Sequence, residues 1–177
     1  MKKRLLVDLS SLKNIYSGLG QIALSYGNYF KENYKSDSFP YDLTLLVPSK
    51  YFGEFGNEVH YISSSNILRK NKLLPFPKYE VWHSIHQLSR FKPMNRDVKY
   101  ILTIHDLNFL YEKTANSRRK RFKKIQNKVD RANEIVCISH FTKKEVESNL
   151  NLKGKECKVI YNRVPLINND LAVKPGF

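Results

Sequence analysis

The sequence predicts an α/β protein, a three-layer α/β/α domain on a mostly parallel sheet. Three observations predict it. Short apolar runs alternate with amphipathic stretches along the chain, the pattern of βαβ units. The run Lys99-Tyr-Ile-Leu-Thr-Ile-His-Asp-Leu107 is almost wholly apolar, aromatic or β-branched until a histidine and an aspartate arrive together. Such a run reads as a strand buried on both faces. Several other runs also end on polar residues, and right-handed crossovers place all carboxyl ends of a parallel sheet along one edge.

Each element has its own reason. Arg4 to Leu9 (RLLVDL) is a strand, and a polar loop follows from Ser10 to Ser17. Gly18-Leu-Gly20 opens a helix to about Asn33, with Ile22, Leu24, Tyr26, Tyr29 and Phe30 mostly on one side. Asp42 to Val47 is a second strand, stopped by Pro48. Glu58 to Ile62 is a third, in which His60 alternates and reads as structural. Asn66 to Leu74 has helical character that Pro75 and Pro77 break. Glu80 to Trp82 begins a short strand ending at His83-Ser-Ile-His86, and Pro93 marks a turn before the central strand, 99–105. Ala115 to Ala132 is a strongly basic helix with Phe122, Ile125 and Val129 on one stripe. Glu134 to Ile138 is a strand, and Ser139 caps a helix from Phe141 to Leu150. Cys157 to Tyr161 is the last strand, ending at Asn162 and Arg163. Residues 1–164 form one domain, and 165–177, without periodicity, read as the start of a linker.

Composition narrows the class. The chain has 177 residues and is 41% hydrophobic, enough for a real core. No apolar run approaches the roughly 18 residues of a membrane span. Only Leu5, Leu6 and Val7 separate the basic start from Asp8, too short a run for a signal peptide. Cys137 and Cys157 lie in apolar runs without metal-binding spacing, and read as reduced core residues of a cytoplasmic protein. Net charge is +15, and Arg90 to Arg131 carries 13 Lys/Arg against 4 Asp/Glu. Such a field favours phosphates, anionic lipid or nucleic acid.

Five strand ends deliver polar groups to one rim, which makes a cleft the default site. Ser10, Ser11 and the turn Ser17-Gly18-Leu19-Gly20 come from the first. His83 and His86 come from the fourth, His105 and Asp106 from the central strand, Ser139 and Thr142 from the next, Asn162 and Arg163 from the last. Gly18, Gly20 and Ala23 form G-x-G-x-x-A, but eight residues separate Leu9 from Gly18, too many for a dinucleotide fingerprint. The turn still offers free N–H groups at a helix start. No carboxylate or cysteine completes a zinc set around His83 and His86. His105 reads as a hydrogen-bonding imidazole in the cleft or as a satisfied rim histidine. Asp106 reads as a residue bonding backbone nearby. Ser139 and Thr142 serve as helix caps, ligand contacts or both.

These motifs resemble the N-terminal half of GT-B glycosyltransferases, especially glycosyltransferase family 4. The resemblance rests on Ser17-Gly-Leu-Gly20, on Thr103-Ile-His-Asp106, on Arg131-Ala-Asn-Glu-Ile-Val-Cys-Ile-Ser-His-Phe-Thr142 and on Tyr161-Asn-Arg-Val164. It is most specific from about 99 to 164, and Arg163 stands where the family usually has glycine. The resemblance implies a Rossmann-like domain and a retaining transfer of a hexose, often mannose or glucose, in cell-surface polysaccharide synthesis. The donor would be a GDP- or UDP-hexose, the acceptor a glycan or lipid-linked molecule. It implies that Gly18, Leu19 and Gly20 approach donor phosphates and that His105, the catalytic candidate, reaches the sugar. Ser17, His83, His86, Asp106, Ser139, Thr142, Asn162 and Arg163 are the cleft candidates. A second, donor-binding domain would follow residue 177. No permanently bound cofactor and no metal are expected.

The basic helix suggests a further partner. Between Arg118 and Arg131 there are eight Lys/Arg and one acid. If the apolar stripe packs on the sheet, Arg118, Arg119, Lys120, Arg121, Lys123 and Lys124 face outward. They would then meet an anionic membrane surface at roughly 1 kcal/mol per nearby charge, giving a peripheral location. The alternative reading is a basic nucleic-acid-binding or membrane-docking module without catalysis. Nucleic acid is the weaker partner, because no recognisable binding motif accompanies the charge.

Overall fold

A computed structural model describes residues 2–71, 73–111 and 114–162. Seven strands form one sheet: β1 (Lys3–Asp8), β2 (Tyr41–Val47), β3 (His60–Ser63), β4 (Val81–Ser84), β5 (Lys99–Ile104), β6 (Glu134–Cys137) and β7 (Cys157–Val159). The helices are α1 (Gly18–Asn33), α2 (Ile67–Lys70), α3 (Ala115–Arg131) and α4 (His140–Asn149). Strand order is β3-β2-β1-β4-β5-β6-β7, and every pairing is parallel. The Rossmann-like α/β/α expectation holds, consistent with the N-terminal half of a GT-B fold. The sheet is parallel throughout rather than mostly.

The period of two along each strand sorts the core into two layers. Val7, Leu43, Leu45 and Ile85 pack with Ala23 and Phe30 of α1. Leu6, Trp82, Tyr100, Leu102, Ile104, Ile135 and Cys137 pack on the other face, with Ile125 and Val129 of α3 and Val146 of α4. The α3 stripe is therefore buried as expected, with Phe122 packed at its edge. The two cysteines are free thiols, both buried.

Three expectations need correction. The helix expected over 66–74 is a single turn, α2. The Leu73 and Leu74 amides fold back onto the Leu68 carbonyl, and the chain then runs non-helically through Pro75 and Pro77, which lack the N–H a helix needs. The β3-to-β4 crossover thus carries almost no helix over the sheet. β4 extends to Ser84, so His83 lies inside the strand and not beyond its end. His60 opens β3 and is exposed, not interior. The expected linker, 165–177, lies outside the described residues.

Two glycines at the start of α1 differ in kind. A Cβ on Gly20 would collide with the Asn14 carbonyl oxygen of the preceding 3₁₀ turn, Ser10–Asn14. A Cβ on Gly18 would meet nothing within 4 Å. Gly20 is therefore required by close backbone packing, whereas Gly18 leaves open space. Urea denaturation should show Gly20→Ala destabilised by about 1–3 kcal/mol. Gly18→Ala should be unchanged or stabilised by up to about 1 kcal/mol.

Candidate functional site at the sheet's switch point

The chain leaves β1 toward β2 and β3, then returns to the other side as β4. The crevice beyond the carboxyl ends of β1 and β4 is where such sheets bind ligands. It is a basin of about 670 Å³ here. Ser10, Ser11 and Ser17 line it from the β1 side, Ser64 from beyond β3, His86 and Ser89 from beyond β4. Lys13, Lys70, Arg90 and Lys124 surround these hydroxyls, and among the described residues no carboxylate lines the basin. The arrangement suits a polyhydroxylated or phosphorylated ligand.

Asp8, the last residue of β1, is fully buried beneath this basin. Its Oδ1 accepts from the Ser10 amide at 3.0 Å, and its Oδ2 accepts from the Ser89 hydroxyl. Ser89 Oγ also accepts from the Phe91 amide at 3.0 Å. One carboxylate thus ties the loop after β1 to the loop after β4. The Gly-rich turn is pinned beside it. Ser17 caps α1, accepting from the Gly20 amide at 3.1 Å and donating to the Asn14 carbonyl at 2.8 Å. Ser11 donates to the Leu19 carbonyl at 3.0 Å. Gly18 is exposed at this helix start.

A second group forms around the end of β5. His105 is buried, and its Nε2 lies 2.7 Å from the Ile85 carbonyl. A carbonyl only accepts, so Nε2 carries the proton. Burial holds the His105 pKa below its ordinary value, against the opposing pull of the Ile85 bond and Asp106. The ring is therefore neutral near pH 7, and Nδ1 is its remaining acceptor. Gln87 clamps this strand end: its Oε1 accepts from the His105 amide at 3.1 Å and its Nε2 donates to the Asp106 carbonyl at 2.9 Å. Asp106 Oδ1 accepts from the Asn108 amide at 3.1 Å. Thr142 Oγ1 donates to the His105 carbonyl at 3.0 Å, and Ser139 Oγ caps α4 by accepting from the Thr142 amide at 3.0 Å. Since Thr142 spends its proton on His105, Ser139 is the donor in the 3.0 Å contact between the two hydroxyls.

The structure separates the sequence-predicted residues into groups. Ser17, Leu19, His86 and Lys124 line the basin. His105, Asp106, Ser139 and Thr142 are joined in the β5 group. His83 belongs to neither. It lies between the sheet and α1, with Nε2 2.9 Å from Thr103 Oγ1 and its ring edge-on to Tyr26. Asn162, just past β7, is half-buried, and Arg163 lies outside the described residues. On α3, Arg118, Arg119, Lys120, Arg121 and Lys123 are exposed, and Lys124 Nζ donates to the Leu88 carbonyl at 3.2 Å.

Sequence reasoning missed Asp8, Gln87 and Lys128. Lys128 is 3% exposed, and its Nζ has no hydrogen-bond partner. Burial pushes its pKa down to about 7, with Asp8 pulling the other way. Its position, three residues after Ile125, already places it on the inward stripe. Asp8 carried a signal too, an acid closing an apolar run. Gln87 carried none.

Two neutral histidines give the fold a pH dependence. Burial pushes the His83 pKa down to about 4, against Asp8. Burial and then the nearby Lys128 push that of His86 down to about 3. Above about pH 6.5 both are neutral folded or unfolded and contribute no slope. As pH falls from 6.5 toward 4, the unfolded chain binds protons that the folded one refuses. Stability should therefore fall by at most about 1.4 kcal/mol per pH unit per histidine. Urea midpoints at pH 7.5, 6 and 5 should show this fall, and His86→Leu should flatten it.

Among the described residues, no group of three or more His, Cys, Asp or Glu side chains could hold a metal, and no helix is long and apolar enough to cross a membrane. No curated protein matches the chain. Residues 33–166, some three-quarters of it, match the family described as Glycosyltransferase Family 4. With its parallel sheet and its basin at the switch point, the chain belongs to Glycosyltransferase Family 4.

Proposed function

We propose that this chain is the N-terminal, acceptor-binding half of a retaining GT-B glycosyltransferase. The enzyme transfers a hexose, mannose or glucose, from GDP- or UDP-hexose to a glycan or lipid-linked acceptor in cell-surface polysaccharide synthesis. The observation that carries the proposal is the switch-point basin on a domain of this family, walled by hydroxyls and cations with the Ser17–Gly20 helix start on its rim. In this reading residues 1–164 bind the acceptor, and a separate donor-binding domain completes the cleft. The proposal requires no resident cofactor and no metal.

The chemistry assigns each group a task. The bond between the sugar's C1 and the diphosphate breaks, an acceptor oxygen bonds to C1, and the acceptor's proton passes to the departing diphosphate oxygen. The departing diphosphate gathers negative charge. The amides at the start of α1 and the basin cations stabilise that charge. His105, neutral and with Nε2 held by Ile85, accepts a hydrogen bond from a sugar hydroxyl through Nδ1. It orients the sugar and does not act as an acid. Gln87, Asp106, Ser139 and Thr142 keep its strand end in place. The exposed cations Arg118, Arg119, Lys120 and Lys123 on α3 support a peripheral position on the cytoplasmic face of a membrane.

Transfer by the protein carrying both domains tests the proposal. His105→Ala should lower kcat by roughly 10- to 100-fold, the worth of one buried hydrogen bond in the transition state. Its thermal midpoint, measured alongside, accounts for the lost Ile85 contact. Turnover equal to that of the parent would remove His105 from the site.

A further inference from the structure

A second cavity lies on the sheet face that the β3-to-β4 crossover leaves without a full helix. Its volume is about 680 Å³, within the range of small-molecule sites. The floor is aromatic: Phe76, Tyr79, Trp82 and Phe91, with Trp82 and Tyr79 nearly fully buried. Leu74 and Met94 stand at the wall with exposed apolar side chains, and Leu73 nearby is 72% exposed. The remaining lining is strongly cationic, led by Arg69, Lys70, Arg90, Lys92 and Lys128, and among the described residues it contains no carboxylate.

Three of the lining side chains hold a buried donor without a partner: Arg69 Nε, Trp82 Nε1 and Lys128 Nζ. Buried donors are ordinarily satisfied, and each one left open costs stability. Arg69 is nevertheless fixed in place. Its guanidinium lies 4.5 Å from the Phe76 ring centroid and donates to the Pro75 carbonyl at 2.9 Å. An aromatic floor suits an apolar chain, and open cationic donors suit an anion.

We propose that this cavity binds a lipid phosphate, an apolar chain ending in a phosphate or diphosphate and presented from a membrane. The chain lies along Phe76, Tyr79 and Trp82, and the phosphate meets the cations. The cavity and the switch-point basin share Lys70, Arg90, Phe91 and Lys124. A phosphate held on that shared border places the group attached to it in the basin. The lipid phosphate is thus the acceptor carrier. That last step rests on the proposed transferase reading; binding itself does not.

Trp82 is the one tryptophan of the chain, so its emission reports on the cavity directly. Farnesyl phosphate, used below its micelle concentration, should change that emission saturably at micromolar levels. Farnesol and inorganic diphosphate should each bind at least tenfold more weakly. The double variant Arg90→Glu/Lys92→Glu, at a solvent-reaching rim, should fold normally and lose at least tenfold in affinity for farnesyl phosphate. Lys128→Met should retain farnesol binding and lose the preference for the phosphate. Vesicles of neutral lipid doped with the phosphate should pellet the chain, and vesicles with an equal charge of phosphatidylserine should pellet it less. Equal binding of farnesol, equal binding of diphosphate, equal pelleting, or no change in Trp82 emission would each overturn the proposal. Binding without transfer by the two-domain protein would keep the cavity and sink the transferase reading; transfer without binding would do the reverse.

Discussion

The rim of this sheet depends on one buried carboxylate. Asp8 ends β1 with no access to solvent. A charge in that position is tolerable only where its oxygens are met by donors. The donors available are the Ser10 amide, from the loop after β1, and the Ser89 hydroxyl, from the loop after β4. Satisfying Asp8 therefore brings two loops together across the switch point. The basin between them is the consequence. Asp8 also acts at a distance, opposing the burial-driven shifts of His83 and Lys128.

The excess of positive charge is divided by the fold into different tasks. Part of it lies on the outer face of α3, in Arg118, Arg119, Lys120 and Lys123. Another part surrounds the basin and the adjoining cavity, whose linings hold no carboxylate among the described residues. Among them Lys128 is buried, and burial lowers its affinity for its proton. The phosphorylated ligands proposed above would meet this second set. The outer set adds a long-range pull toward anionic surfaces.

Most of the fold was legible because parallel strands buried on both faces announce themselves as apolar runs. Lys99–Ile104 and Glu134–Cys137 are such runs, and their ends were placed within a residue or two. The α3 stripe was legible for the same reason, in its 3.6-residue period. The segment after β3 was misread because Asn66 to Leu74 has helix-forming residues whose closure is decided by a backbone fold onto Leu68. His83 was placed on the rim because a strand's last residue is poorly marked, and one residue more turns a rim group into a packed one. Lys128 was given no role, although its spacing from Ile125 pointed inward. Gln87 was hidden for a different reason, as was the reach of Asp8 to Ser89: these partners lie 18 and 81 residues away, and no local pattern reports such contacts.

The central claim is that Asp8 builds the rim, and hydrogen–deuterium exchange on Asp8→Leu tests it most directly. The substitution keeps size and burial but removes both acceptors. Amides of residues 9–19 and 86–92 should exchange faster by at least tenfold, while those of β5 and β6 keep their protection. Unchanged exchange in both loops would show that the rim stands without its carboxylate, and would contradict the claim.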